Sequence, residues 1–187
     1  MGKNKVVITG APGTGKTSIV NGLESKGFHC FHEIIRDMTS KAKLEGDSND
    51  FVSNPLLFVD DALQFNKDLL HGRASHYRQS QGINVPVSFF DRGIPDVLAY
   101  MDFFGQVYGR EFIETCELHR YDTVFIVPPW KDIYISDNER LETFEEAEDI
   151  HHALMNTYSR FGYDPILVPK DAVPQRITFI LETLNQV

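Results

Sequence analysis

Gly10-Ala11-Pro12-Gly13-Thr14-Gly15-Lys16-Thr17 sets three glycines, a lysine and a hydroxyl at fixed spacing in one short run. The spacing is G-x-x-x-x-G-K-[ST], that of a phosphate-binding loop. Gly10, Gly13 and Gly15 allow backbone angles that a side chain forbids, and they let the chain approach a phosphate closely. The run from Gly10 to Ser18, with Ala11, Pro12 and Thr14 between the glycines, would form an anion nest at the positive end of a following helix. Lys16 would reach the β- and γ-phosphates, and the Thr17 hydroxyl would ligate Mg²⁺. The implied ligand is a nucleoside triphosphate, ATP or GTP, with its magnesium ion.

A second group follows from Val87-Ser88-Phe89-Phe90-Asp91-Arg92-Gly93, where an apolar run ends in a carboxylate. Asp91 could hold Mg²⁺, directly or through water, or accept the proton of an attacking hydroxyl. Its bland alternative is a cap for the helix that starts near Pro95. Arg92 beside it is a candidate catalytic phosphate clamp. Glu33 and Arg36 form a third pair, placed where an acceptor would sit. Glu33 there is either a general base with Arg36 as an acceptor contact, or half of an ordinary i,i+3 ion pair.

The fourth group lies in 128–140, which carries Pro128, Pro129, Trp130, Tyr134 and Arg140. Arg140 could swing onto the transferring phosphate as charge develops there, making 128–142 a mobile lid. Trp130 and Tyr134 could pack on an acceptor ring or merely anchor the loop. The segment 168–173 is a weaker candidate for contact with the nucleotide base, and reads equally as turn chemistry. His151 and His152 are not a metal pair, because adjacent helical residues point apart.

These groups need elements to hold them. Five short apolar runs, at 5–9, 27–31, 85–90, 123–127 and 165–168, have the length and β-branched or aromatic content of strands. Helical patterns separate them. A helix is expected from 18 to 25. Another runs from an Asn54 cap with Pro55 at its first position towards 81, with Leu56, Val59, Leu63 and Leu70 on one face. Others span 143–160, ended by Gly162, and 173–184. The segment 47–53 reads as a polar loop. Strands alternating with helices predict an α/β fold: a three-layer phosphate-loop NTPase architecture with a five-stranded parallel sheet. Ligands of such sheets bind at the carboxyl ends of the strands, so the groups above would face one another.

Composition narrows the partners. At 187 residues, with 42% hydrophobic and 24% charged residues, the chain has the make-up of one globular domain over 1–187. The net charge of −9, without a long basic cluster, argues against a nucleic-acid surface. Cys30 and Cys116 have no metal-type spacing and read as small buried apolar groups. No apolar run reaches membrane-spanning length, and the N-terminus runs straight into the first strand. The expectation is a soluble, cytoplasmic protein acting on a small-molecule substrate.

With these pieces placed, the chain resembles the small AAA-domain predicted ATPases of bacteria, which look more like nucleoside and nucleotide kinases than like AAA+ motors. The resemblance covers nearly the whole chain. It rests on Gly10 to Thr17, on Phe89 to Asp96, on Arg120-Tyr121-Asp122, on Pro128-Pro129-Trp130, on Asp137 to Arg140, on Phe144 to Ala147 and on Tyr163. The chain is more distantly similar to the ribosylnicotinamide kinase domain of the NAD-synthesis regulator. That domain shares a Glu-x-x-Arg after strand two, here Glu33 and Arg36, and a Trp followed by an Asp-x-x-Arg lid, here Trp130 and Asp137 to Arg140. The chain departs from it where Asp91-Arg92-Gly93 stands. A eukaryotic relative of the family resembles a GTP- and phosphoinositide-binding protein, which leaves guanine open beside adenine.

Two functional readings follow. One is a magnesium-dependent phosphotransferase acting on a hydroxyl or phosphate of a small, nucleoside-like metabolite. The other is a nucleotide-gated binding or regulatory module with slow hydrolysis. An AAA+ motor fits poorly, because Asp91-Arg92 stands where Asp-Glu is needed.

Overall fold

Val6, Val7 and Ile8 are β-branched and fully buried, which suits a strand covered on both faces. They make β1 (Asn4–Thr9) the centre of the sheet in the computed structural model, which describes residues 3–35, 61–134 and 142–186. The other strands are β2 (His29–Phe31), β3 (Val87–Asp91), β4 (Thr123–Ile126) and β5 (Ile166–Leu167). All pair in parallel, in the order β2-β3-β1-β4-β5. The five-stranded parallel α/β fold expected from the sequence is therefore the fold observed.

Alternation along the strands divides the core. Val7, Phe31, Phe90, Val124 and Ile126 point to one face, under α2 (Ala62–Gly82), α3 (Pro95–Phe103), α4 (Arg110–Leu118) and α5 (Phe144–Arg160). Val6, Ile8, Phe89 and Phe125 point to the other, under α1 (Lys16–Ser25) and α6 (Val173–Thr183). Because α1 covers one face and α3 the other, the chain reverses sides between β1 and β3. A crevice opens at such a switch point, beyond the carboxyl ends of the strands.

Element ends differ from expectation for local reasons. β3 starts at Val87 and β5 at Ile166, each after a proline that has no N–H to give the ladder. β2 starts late because 26–28 close α1: Gly27, at φ +91, donates to the Glu24 carbonyl at 2.8 Å and Phe28 to that of Leu23 at 3.2 Å. α2 begins at Ala62, not near 55, since Asp61 leaves the helical region and accepts from the Gln64 amide at 2.9 Å. Leu63 on that helix is exposed, whereas Leu70 is buried. The expected Asn54 cap, Pro55, Leu56, Val59 and the 47–53 loop lie outside the described residues. α5 opens with a reciprocal cap: Thr143 Oγ1 accepts from the Glu146 amide, and Glu146 from the Thr143 amide. Gly162 closes it with φ +76, as the sequence suggested. α4 was not expected; it buries only Phe112 and Cys116, too few to show a periodic face. Both cysteines are buried and unbridged, and burial raises each thiol to about 12.

Candidate active site

The strand β1 ends at Thr9 and delivers the glycine loop directly to the start of α1. Gly13 holds φ +75, and a Cβ there would lie 2.8 Å from the Tyr134 ring, so both backbone angle and space call for glycine. Ala11, Pro12 and Thr14 are enclosed, Thr17 is half-buried and Ser18 is exposed in the first turn of α1. Thr14 Oγ1 donates to the Ala11 carbonyl at 2.9 Å, and Lys16 Nζ donates to the same carbonyl at 2.7 Å. Burial, reinforced by the like charge of Arg92, lowers Lys16 to about 7, against the pull of Asp91, Glu33 and Asp96. A buried ammonium held by neutral oxygens, the Ala11 carbonyl and, at 3.5 Å, the Thr14 hydroxyl, would find a stronger partner in an anion.

Beyond β3 the backbone turns sharply. Arg92 takes a left-handed conformation, φ +73, with its amide on the Ile8 carbonyl at 3.0 Å. Its guanidinium reaches Glu33 Oε2 through Nε at 2.5 Å and Asp96 Oδ1 through Nη1 at 3.3 Å, and lies over the Tyr100 ring. Glu33, two residues past β2, is itself buried. Its other oxygen accepts from Arg73 Nη2 at 3.1 Å, while Arg73 Nη1 donates to the Gly93 carbonyl at 3.1 Å. Among the described residues the Glu33 carboxylate is gripped by two arginines from different elements. Asp91 ends β3 opposite Ile8 in register and is buried beside this cluster. A hydroxyl at Thr17 and a carboxylate at Asp91 are the hard oxygen donors that magnesium takes alongside substrate phosphates.

The segment after β4 folds back over the loop. Trp130 lies 5.2 Å from the Arg176 guanidinium, and its indole N–H donates to Asp132 at 3.0 Å. Arg176 on α6 donates to the Thr14 carbonyl at 2.9 Å and to the Asp171 carbonyl at 2.5 Å. Tyr134, whose ring covers Gly13, donates to the Glu142 carbonyl at 2.5 Å and meets Phe144 edge-on. Both aromatic side chains thus contact the phosphate-loop side of the crevice. Arg36, Arg140 and the span 135–141 of the expected lid lie outside the described residues.

Residues 5–176 match the family described as an AAA domain. The chain belongs to that family. No curated protein matches the sequence. Among solved structures, this AAA-domain chain is similar to deoxyadenosine kinase from M. mycoides with bound dATP. The two are 19% identical with a TM-score of 0.60, over 97% of this chain and 99% of that one. It is similar to NadR protein in complex with NR at 19% identity and a TM-score of 0.68. There 98% of this chain matches 51% of that one, so it spans about half the length of NadR. Thymidylate kinase from Ehrlichia chaffeensis matches at 12% identity and a TM-score of 0.65, over 98% of this chain and 100% of that one. At such identities the likeness is one of fold, the phosphate-loop architecture of nucleoside and nucleotide kinases.

The sequence did not single out Arg73 or Arg176, and it gave Asp96 only as the last residue of the run Phe89 to Asp96, with no role of its own. Arg73 carried a signal: it falls among Leu69, Leu70, Ala74 and Tyr77 on the buried stripe of α2. A lone arginine in such a stripe is almost never buried without a partner. Arg176 lies likewise on the buried stripe of α6 with Ile177 and Ile180. Among the described residues no helix is long and apolar enough to cross a membrane.

Proposed function

We propose that the chain is a magnesium-dependent phosphotransferase that moves the γ-phosphoryl group of a nucleoside triphosphate to a hydroxyl of a small, nucleoside-like acceptor. The observation that carries this reading is the buried Glu33 carboxylate held between Arg73 and Arg92, close enough for its charge to act on Lys16 of the phosphate loop. Simple nucleotide binding does not need such a group. A hydroxyl acceptor does, because its oxygen must lose a proton as it bonds to phosphorus.

In this reading the loop amides and Lys16 hold the β- and γ-phosphates, with Lys16 taking its full positive charge from their presence. Thr17 and Asp91 would hold magnesium, which neutralises charge on the phosphate oxygens when bound. The acceptor oxygen attacks the γ-phosphorus in line, its proton passes to Glu33, and the bond to the bridging oxygen breaks to release nucleoside diphosphate. Arg92 steadies Glu33 and is not a free clamp. Arg36 and Arg140 are proposed to contact the acceptor and the transferring group, respectively. Segment 128–142 is the proposed lid, with Trp130 and Tyr134 at its base.

The same cluster favours an uncharged acceptor over a phosphorylated one. Among its described members, Glu33, Asp91 and Asp96 oppose Arg73 and Arg92, and both guanidiniums already face carboxylates. Among the described residues of this cluster, a phosphomonoester dianion would meet no arginine that does not already face a carboxylate. The names of two structural neighbours, deoxyadenosine kinase and NadR in complex with NR, support a nucleoside-like acceptor. The test is to offer γ-labelled ATP, Mg²⁺ and two separate pools, one of nucleosides and one of nucleoside monophosphates. A labelled product from the nucleoside pool supports the reading; a product only from the monophosphates defeats it.

A further inference from the structure

Asp96, in the first turn of α3, is fully buried. Four groups converge on its carboxylate. Oδ1 accepts from the Thr9 hydroxyl and from Arg92 Nη1 at 3.3 Å. Oδ2 accepts from the Tyr158 hydroxyl at 2.5 Å and from the Gly93 amide at 3.0 Å. The donors come from the end of β1, the turn after β3, and α5. Thr9 immediately precedes the phosphate loop, and Arg92 is the residue that grips Glu33.

The backbone at Arg92 needs an explanation that phosphate chemistry does not give. A left-handed conformation is strained for an L-residue and persists only where the surroundings over-determine it. Asp96 supplies that restraint twice, through the Arg92 guanidinium and through the amide of the next residue. Gly93 belongs to the same device. A Cβ there would collide with the Tyr158 hydroxyl and lie 3.1 Å from Val7 and 3.2 Å from Tyr121. Glycine at 93 keeps open the path by which Tyr158 reaches Asp96. This gives a physical reason for glycine after Asp91-Arg92 in this chain.

We propose that Asp96 is a positioning residue for the Glu33–Arg92 pair: anchored by Thr9 and Tyr158, it fixes the left-handed turn and aims the Arg92 guanidinium at Glu33. The role in transfer rests on the reading of Glu33 as proton acceptor. The geometric role does not, and the two fail separately.

The experiment compares the full-length chain with Asp96→Asn, using the Arg92 Nε–H resonance as the signature. In the wild type its short bond to Glu33 shifts that proton downfield and protects it from exchange. The proposal expects Asp96→Asn to lose both features while Mg-ATP affinity measured by calorimetry is retained. If Asp96→Asn fails to fold, Tyr158→Phe and Thr9→Val, each removing one donor, are read for the same change in smaller degree. An Arg92 resonance that keeps its shift and exchange rate in the folded variants overturns the proposal. Where the wild type yields a labelled product, kcat falls about 10²-fold in Asp96→Asn with KM for Mg-ATP unchanged. If the wild type transfers nothing, the proposed function fails while the resonance still decides the role of Asp96.

Discussion

Arg92 Nε meets Glu33 Oε2 at 2.5 Å, at the same carboxylate that Arg73 reaches from α2 at 3.1 Å. One carboxylate thereby joins β2, the turn after β3, and a helix. Removing its charge should affect rate and stability together. Glu33→Gln should lower phosphoryl transfer about 10²–10⁴-fold, the usual worth of a general base, with Mg-ATP affinity unchanged. It leaves two buried guanidiniums underpaired, and breaking a buried pair from one side costs about 3–5 kcal/mol. A domain of this size should then melt roughly 10 °C lower. Single-turnover transfer and a melting curve check both arms.

Lys16 predicts a pH signature of binding. Without phosphate its burial lowers it to about 7, and an anion in the loop raises it. The bound state therefore holds more protons than the free state above about pH 7. Affinity is fullest below that pH and falls as pH rises towards the bound value, by at most about tenfold per unit. Calorimetry at pH 8 in buffers of different ionisation heat should show proton uptake on binding of Mg-ATP. Lys16→Ala should lose triphosphate binding, and any residual binding should lack the uptake.

Trp130 is the only tryptophan of the chain and lies against Arg176, which donates to the phosphate-loop carbonyl of Thr14. Filling the loop should change its fluorescence. Arg176→Met should remove most of that change by breaking the contact between ring and loop. An unaltered signal in this variant would show that Trp130 senses the nucleotide by another route.

Arg140→Ala should lower the transfer rate by more than it lowers nucleotide affinity, as expected of a group that meets charge only in the transition state. Nucleotide titration and single-turnover rates on the same preparation separate the two. A loss confined to affinity would argue against the lid role.

The fold was legible because its signals are local. Val6, Val7 and Ile8 announce a buried strand, the glycine loop follows without a gap, and Ala147, Ile150, Leu154 and Tyr158 repeat at helical spacing. The charged cluster was legible only in part. Asp91, Arg92 and Glu33 stand at strand ends, where chain position betrays them. Arg73 and Tyr158 act through contacts spanning tens of residues in sequence, and Asp96, though close to Arg92 and Gly93 in the chain, is anchored by Thr9 and Tyr158 from equally far away; such distances carry no period. The sequence offered Arg36, near in number, as either an ion-pair partner of Glu33 or an acceptor contact; it lies outside the described residues, and the guanidiniums seen on Glu33 come from Arg73 and Arg92. Tyr158 falls on the apolar stripe of α5 and is buried, yet its hydroxyl ends on a carboxylate that a hydrophobic pattern cannot reveal.

The most direct measurement is phosphorus NMR of the wild type and Glu33→Gln, side by side, with Mg-ATP and a pool of nucleosides that includes ribosylnicotinamide. The account predicts a new phosphomonoester signal that grows with ADP in the wild type and is nearly absent in the variant. Inorganic phosphate alone in both samples, at equal rates, would contradict it and point to a nucleotide-gated binding module.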